Sequence, residues 1–169
     1  MENFKLGSRS NGFPPVVGEN PQILILGEFP SKTSLGKKEY YSGAGNQFWP
    51  IIDKLFNGNG GFLTYNAKLQ CLKKNHIALW TLYGSADGDG KISGVPLLNA
   101  KLNDIPSFLS EHPGINKVLC NGKDVASSFR LYFPELVSKL TCIISLTSTT
   151  SYAGQKVARY EEWRDALGK

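Results

Sequence analysis

Hydrophobic residues along this chain are gathered into four short runs, in which apolar side chains follow one another with little polar interruption. A strand exposed on one face alternates apolar and polar residues, whereas a strand buried on both faces is apolar throughout. The continuous pattern therefore predicts four strands that are buried on both faces. They lie within residues 22–29, 76–82, 116–122 and 140–148.

The segments between and after these runs have helical periodicity. In residues 46–56, the side chains of Phe48, Ile52 and Leu55 fall on one stripe, and Pro50 lies in the first turn, where its missing N–H costs little. Similar patterns cover residues 65–75, 96–112, 122–133 and 157–167. Strands that alternate with helices indicate an α/β fold, which we expect to be a three-layer α/β/α sandwich with a central four-stranded parallel sheet.

Domain organisation and compartment follow from composition. Residues 1–21 contain no hydrophobic stretch typical of a signal peptide or membrane anchor, and we expect them to form an irregular arm. Residues 22–169 contain no repeat and no low-complexity linker, so we expect one domain. Cys71, Cys120 and Cys142 are far apart and form no CxxC pair, which argues against zinc-ribbon and iron–sulfur sites and fits a reducing, cytoplasmic compartment. A net charge of +5 favours an anionic partner.

Two motifs that suggest a ligand are incomplete. "GAGNQF" (residues 43–48) begins like a dinucleotide-binding fingerprint, but Phe48 stands where the third glycine belongs. "SADGDGKIS" (residues 85–93) copies the middle of a calcium loop, but Pro96 occupies the position of the bidentate glutamate. We interpret these segments as a non-nucleotide loop and a solvated turn.

The two histidines, His76 and His112, open a predicted strand and close a predicted helix, and we interpret both as structural. GxSxG, HExxH and Walker signatures are absent from the sequence. The sequence therefore argues against a histidine-driven hydrolase, and we expect no metal site.

The remaining polar candidates follow strands of the predicted sheet. In such sheets, ligands bind beyond the carboxyl ends of the strands, which here are followed by residues 27–46, 83–95, 121–124 and 147–154. Hydroxyl groups at 148–151 are suited to holding phosphates. Asn46 has two interpretations at this point: it is a candidate functional amide, and it also stands where a helix N-cap is preferred.

Six segments in register resemble the uracil-DNA glycosylase superfamily, and the hypoxanthine (deoxyinosine) DNA glycosylase branch most of all. They are "ILILGEFPSKTS", "YYSGAGNQFW", "HIALWTLYGSADGDGKIS", "DIPSFLSEHPGINKVLCNGK", "SLTSTTSYA" and "YEEWRDAL". The similarity covers about residues 22–167. It implies a monofunctional DNA glycosylase of base-excision repair that uses no cofactor, acts on DNA as a monomer and does not bind membranes.

The resemblance also implies site residues. Asn46 matches the asparagine of an "N-x-F-W" element and is the expected catalytic residue. We expect the base-binding residues to be Gly27, Glu28, Phe29, Tyr41 and Asn121. We expect the DNA-binding residues to be Pro30, Ser31, Lys32, Ser148, Thr149, Thr150 and Ser151.

Departures from the family pattern leave two functions open. Phe29 stands where many relatives have Asp or Asn to position the attacking water, Glu28 replaces a serine, and Thr147 and Ser151 replace prolines. The first hypothesis is excision of a flipped, deaminated base, with hypoxanthine first and uracil second. The alternative is a catalytically inactive module of the same fold that binds nucleic acid or a nucleobase. An unrelated α/β fold with a basic surface is a third possibility.

Overall fold

The computed structural model describes residues 8–92, 94–149 and 154–169. The strands are β1 (Arg9–Asn11), β2 (Ile23–Gly27), β3 (Ile77–Thr81), β4 (Tyr83–Asp87), β5 (Leu98–Leu102), β6 (Lys117–Asn121) and β7 (Thr141–Ser145). The helices are α1 (Lys32–Lys37), α2 (Phe48–Phe56), α3 (Tyr65–Lys74), α4 (Ile105–Glu111), α5 (Lys123–Tyr132), α6 (Pro134–Val137) and α7 (Lys156–Ala166).

The four predicted strands form one parallel sheet in the order β3-β2-β6-β7. Ile25 of β2 lies opposite Leu79 on one side and Leu119 on the other, so β2 and β6 occupy the centre of the sheet. The α/β fold class expected from the continuous apolar runs is confirmed. The two central strands end at Gly27 and Asn121, which places these residues at the same edge of the sheet.

The core has two layers because successive side chains of a strand point to opposite faces. On one face, Ile25 and Leu119 pack with buried residues of α2, α3 and α7, including Trp163. On the other face, Leu24 and Val118 pack with buried residues of α4 and α5. Each fully buried aliphatic side chain contributes about 1.5–3 kcal/mol, so the two layers together hold the sheet edge rigidly.

A second, three-stranded sheet in the order β1-β4-β5 was not predicted from the sequence. Residues 9–11 of the arm, expected to be irregular, pair antiparallel with β4. Residues 98–102, expected to be the first part of a helix over 96–112, pair with the other edge of β4. The helix begins only at Ile105, because the Asp104 carboxylate accepts a hydrogen bond from the Ser107 N–H (3.1 Å) and caps the chain there.

In the described ranges 8–92, 94–149 and 154–169, no helix is long and apolar enough to cross a membrane.

Candidate active site

Asn121 and Ser148 form a reciprocal pair at the carboxyl end of β6. The Asn121 Nδ2 donates to the Ser148 Oγ (3.0 Å), and the Ser148 backbone N–H donates to the Asn121 Oδ1 (2.9 Å). Both residues are buried. The Ser148 carbonyl also accepts a hydrogen bond from the Gln47 N–H (2.8 Å), which joins the segment after β7 to the start of α2. We call this arrangement the Asn121–Ser148 clasp.

Ser148 binds the backbone N–H of Gln47, and Asn46 directly precedes Gln47. The clasp therefore brings together three predicted site residues that are far apart in sequence, namely Asn46, Asn121 and Ser148. Asn121 and Ser148 are bonded to each other, and their roles in binding a base and DNA stay predictions. Thr149 follows and is half-buried. Thr150 and Ser151 lie outside the described residues.

Tyr41 lies beside this clasp. Its ring stacks on Phe48 with centroids 4.2 Å apart and planes 29° from parallel. Its hydroxyl lies above Gly27, where a Cβ added to the glycine would come within 2.7 Å of the oxygen. The Tyr41 backbone has a φ of 54°, an uncommon conformation for a residue with a side chain, and one that places it in this position.

The Tyr41 hydroxyl is buried and has no hydrogen-bond partner among the described residues. Burial raises the pKa of Tyr41 to about 12, and the nearby Asn121 amide opposes that rise. The phenol therefore stays neutral at physiological pH.

Asn46 lies one residue before Gln47, the N-cap residue of α2. Its Oδ1 accepts a hydrogen bond from the Phe48 N–H (2.9 Å), and the side chain is half-buried. This bond satisfies an N–H of the first turn, as a cap does, but the N-cap residue itself is Gln47, so the predicted N-cap position is one residue early. The same bond leaves the Nδ2 group without an acceptor among the described residues, so its two N–H groups can meet a ligand. One amide can therefore serve as a cap and as a donor, and the catalytic role stays a prediction.

The segment that follows β2 is held by its own contacts. Glu28 forms an ion pair with Lys91 (Oε1 to Nζ, 3.1 Å), in which the side chains are 24% and 19% exposed. The Lys91 N–H donates to the Pro30 carbonyl (2.8 Å), and its Nζ donates to the Val95 carbonyl (2.7 Å). The Glu28 carboxylate is therefore engaged within the protein.

Phe29 is only 7% exposed. Its ring edge lies near Gly12, where an added Cβ would come within 3.4 Å of it. Little of the ring is open for stacking against a base. Pro30 is buried as well.

Ser31 and Lys32 begin α1. The Ser31 Oγ accepts a hydrogen bond from the Ser34 N–H (3.2 Å) and so caps the helix. The Lys32 Nζ lies 3.0 Å from the Asp89 carboxylate, with both side chains mostly exposed. An exposed pair of this kind contributes little stability, so Lys32 is available to a phosphate.

Helix α7 holds the first residue after β7, a contact that was not predicted from the sequence. The Trp163 Nε1 donates to the Leu146 carbonyl (3.1 Å), and the Leu146 N–H donates to the Glu162 carboxylate (2.6 Å). Glu162 and Trp163 lie in the segment "YEEWRDAL". The aromatic and acidic residues of that segment were the sequence signal from which this contact could have been predicted. The helix thereby holds the loop that carries Ser148.

A family model described as the uracil DNA glycosylase superfamily matches residues 14–163. The chain belongs to this superfamily. The family predicted from the six sequence segments is therefore confirmed, and the matched range includes the clasp, Tyr41 and Asn46.

Individual relatives agree with the family assignment. A hypoxanthine DNA glycosylase of Methanosarcina barkeri is 32% identical over 115 residues, which cover 68% of this chain and 72% of that protein. A protein of the same name from Methanosarcina acetivorans is 36% identical over 116 residues, which cover 66% and 70%. The solution NMR structure of a candidate uracil DNA glycosylase from Methanosarcina acetivorans has a TM-score of 0.79 and 26% identity, covering 95% of this chain and 97% of that one.

Proposed function

We propose that this protein is a monofunctional DNA glycosylase that hydrolyses the N-glycosidic bond of a deaminated base, hypoxanthine first and uracil second. The observation that carries the proposal is the Asn46 amide, whose oxygen is fixed by the Phe48 N–H while its nitrogen has no acceptor among the described residues. The names of the two Methanosarcina relatives support hypoxanthine as the first substrate.

Cleavage of an N-glycosidic bond develops positive charge on the sugar and negative charge on the departing base. A donor aimed at the base favours this step only if it is already oriented, because an oriented donor needs no reorganisation when the charge appears. The bond from the Phe48 N–H orients the Asn46 amide in this way. Loss of one such donor typically costs about 10²–10³ in rate.

The start of α2 also favours negative charge on the departing base. The N–H groups of the first turn of a helix carry partial positive charge, which favours an anion beside them. Asn46 stands just before the nine-residue α2, so a base that gathers negative charge at Asn46 also lies near this end of the helix. The chemistry therefore needs no covalent nucleophile in the proposed site.

Recognition of the base rests on Tyr41 and on the clasp. The Tyr41 ring is backed by Phe48, which makes it a rigid surface for stacking, and such contacts are worth about 1–3 kcal/mol per base. The Asn121–Ser148 clasp keeps the loop after β7 beside this surface. Ser31 and Lys32 are suited to contact the phosphates that flank the flipped nucleotide.

A panel of lesion-containing DNA tests this proposal. Duplex and single-stranded oligonucleotides that carry one inosine, uracil or xanthine are incubated with the protein in excess and then treated with alkali, which cleaves at abasic sites. We expect cleavage at inosine to be fastest and cleavage at uracil to be second. Absence of cleavage at every lesion would overturn the proposal.

A second candidate function is a module that binds nucleic acid or a nucleobase without cleaving it. It is favoured by Phe29, which offers no carboxylate to position water, and by Glu28, whose carboxylate is paired with Lys91. Binding of lesion DNA without release of base from any lesion would support it.

A further inference from the structure

A cavity of about 560 Å³ that is separate from the candidate active site lies between the segment before β2 and the helices α1 and α3. None of Asn46, Tyr41 and Asn121 lines it. Apolar and aromatic side chains form most of its wall, and they include Phe13, Val16, Leu35, Tyr40, Tyr65 and Leu69. Nothing in the proposed excision reaction uses this space.

Two lysines from different helices meet at this cavity. Lys38 follows the last residue of α1, and Lys73 lies in the last turn of α3. A lysine at the end of a helix is favourable by itself, because the carbonyl groups there carry partial negative charge. That effect does not require the two helix ends to converge on one cavity. Neither lysine forms an ion pair with the described residues, so their charge is available to an anion.

The polar atoms of the aromatic wall are satisfied by the protein. The Tyr40 hydroxyl donates to the Pro14 carbonyl (3.0 Å), and the Tyr65 hydroxyl accepts a hydrogen bond from the Tyr40 N–H (2.9 Å). These bonds fix both rings. Tyr40 is only 4% exposed, so the aromatic surface that faces the cavity comes mainly from Phe13 and Tyr65, which are half-buried. A fixed aromatic wall with unpaired cations at the rim suits a ligand that joins a flat ring to an anionic group, as a nucleotide does.

The cavity is next to the candidate active site. Tyr40 lines the cavity and Tyr41 lies in the site, and their ring centroids are 6.4 Å apart. Helix α1 also connects the two places, since it begins beside Ser31 and its six residues extend roughly 9 Å to Lys37. A distance of roughly 9 Å, the length of α1, corresponds to about one to three nucleotides along a strand.

We propose that this cavity is a second nucleic-acid subsite, which takes one nucleotide of the lesion-bearing strand outside the lesion. The base of that nucleotide lies against Phe13 and Tyr65, and Lys38 and Lys73 contact its phosphates. The inference rests on the proposed function only in that the substrate is DNA, and it does not depend on which base is excised.

Binding of lesion-free DNA tests the subsite apart from catalysis. Fluorescence anisotropy with a labelled single-stranded oligonucleotide of ordinary bases is measured for the wild type and for the double variant Lys38→Glu/Lys73→Glu. The matched control is Lys101→Glu/Lys139→Glu, which makes the same change in charge at two exposed lysines elsewhere on the chain. We expect at least a tenfold loss of affinity and a shallower salt dependence in the first variant, and less than a threefold loss in the control.

A third variant separates a subsite from general attraction. Leu69→Trp fills the cavity and keeps both lysines, so it blocks a base but leaves the charge unchanged. We expect Leu69→Trp to weaken binding at least fivefold while thermal unfolding shows an intact fold. Wild-type affinity in Leu69→Trp, or equal losses in the two double variants, would overturn the subsite. Base release is assayed separately, so failure of excision with intact subsite binding would count against the proposed function alone.

Discussion

The hydroxyl of Tyr41 occupies the space that a side chain at Gly27 would need. A Cβ at Gly27 would come within 2.7 Å of that oxygen, and Gly27 lacks the positive φ that would otherwise require a glycine. The glycine is therefore required for space and not for backbone conformation. It lets an aromatic ring reach the end of the central strand, where the candidate site begins.

The contact between Tyr41 and Gly27 predicts that a substitution at Tyr41 restores the stability lost by a substitution at Gly27. Gly27→Ala is expected to destabilise the protein by about 1–3 kcal/mol, because the Tyr41 ring is held by Phe48 and cannot move aside easily. Gly27→Ala/Tyr41→Phe should recover most of that loss, since the clashing oxygen is gone. The free energy of unfolding in urea measures both effects.

Gly43 provides the control for this experiment. A Cβ at Gly43 would meet nothing within 4 Å, so Gly43→Ala should leave stability nearly unchanged. If Tyr41→Phe gave Gly27→Ala no recovery, the contact between the hydroxyl and residue 27 would be ruled out as the cause.

The Asn121–Ser148 clasp predicts a loss from a small change. Ser148→Ala removes the oxygen that accepts from the Asn121 Nδ2 and leaves one buried N–H of that amide unpaired, which should cost about 1–3 kcal/mol. Excision should fall as well, because the clasp positions the loop next to α2. Chemical unfolding and single-turnover excision are the two measurements.

Ser138→Ala is the matched control for the clasp, since the Ser138 hydroxyl is exposed and donates only to a carbonyl three residues away (2.9 Å). We expect Ser138→Ala to lower the free energy of unfolding by no more than a few tenths of a kcal/mol. An equal effect of the two substitutions would show that the clasp has no special role.

Cys142 should react at lower pH than an ordinary thiol. Its Sγ lies 3.6 Å from that of Cys120, and the hydrogen bond from Cys120, aided by the Arg130 charge, lowers the pKa of Cys142. A lowered pKa means that the thiolate persists as pH falls through the usual range of a thiol. Alkylation by iodoacetamide, followed site by site with mass spectrometry between pH 6 and 9, should therefore reach half its maximal rate at lower pH for Cys142 than for Cys71, whose pKa burial raises.

Cys120→Ala removes the donor, so it should move the Cys142 alkylation profile to higher pH. If the profile did not move, the hydrogen bond between the two thiols would not be the cause.

The parallel sheet could be predicted because its strands are buried on both faces, and short, continuous apolar runs are typical of such strands. The small antiparallel sheet of β1, β4 and β5 could not be predicted from the sequence. The segment from Leu98 to Leu102 spaces its two leucines four residues apart, as a helix does, yet both side chains are exposed and backbone pairing with β4 decides the structure. Asp104 sets the true start of the helix, and the apolar period alone does not reveal this cap.

The residues of the candidate site could be proposed one by one from the sequence, but their contacts could not. Position at the strand ends indicated Gly27 and Asn121, and the resemblance indicated Asn46 and Tyr41. The pairing of Asn121 with Ser148 joins residues 27 positions apart, and local sequence gives no sign of it. The ion pair between Glu28 and Lys91 likewise depends on how a distant turn folds back on β2.

Single-turnover excision by Asn46→Asp tests the central claim most directly. Aspartate keeps the oxygen that accepts from the Phe48 N–H, so the cap and the thermal unfolding temperature should persist. It replaces the amide nitrogen with an oxygen that cannot donate at neutral pH and that opposes charge on the departing base. We predict that release of hypoxanthine from an inosine-containing duplex falls at least 100-fold while the fold stays intact. Release at the wild-type rate would contradict the account and leave Asn46 as a helix cap alone.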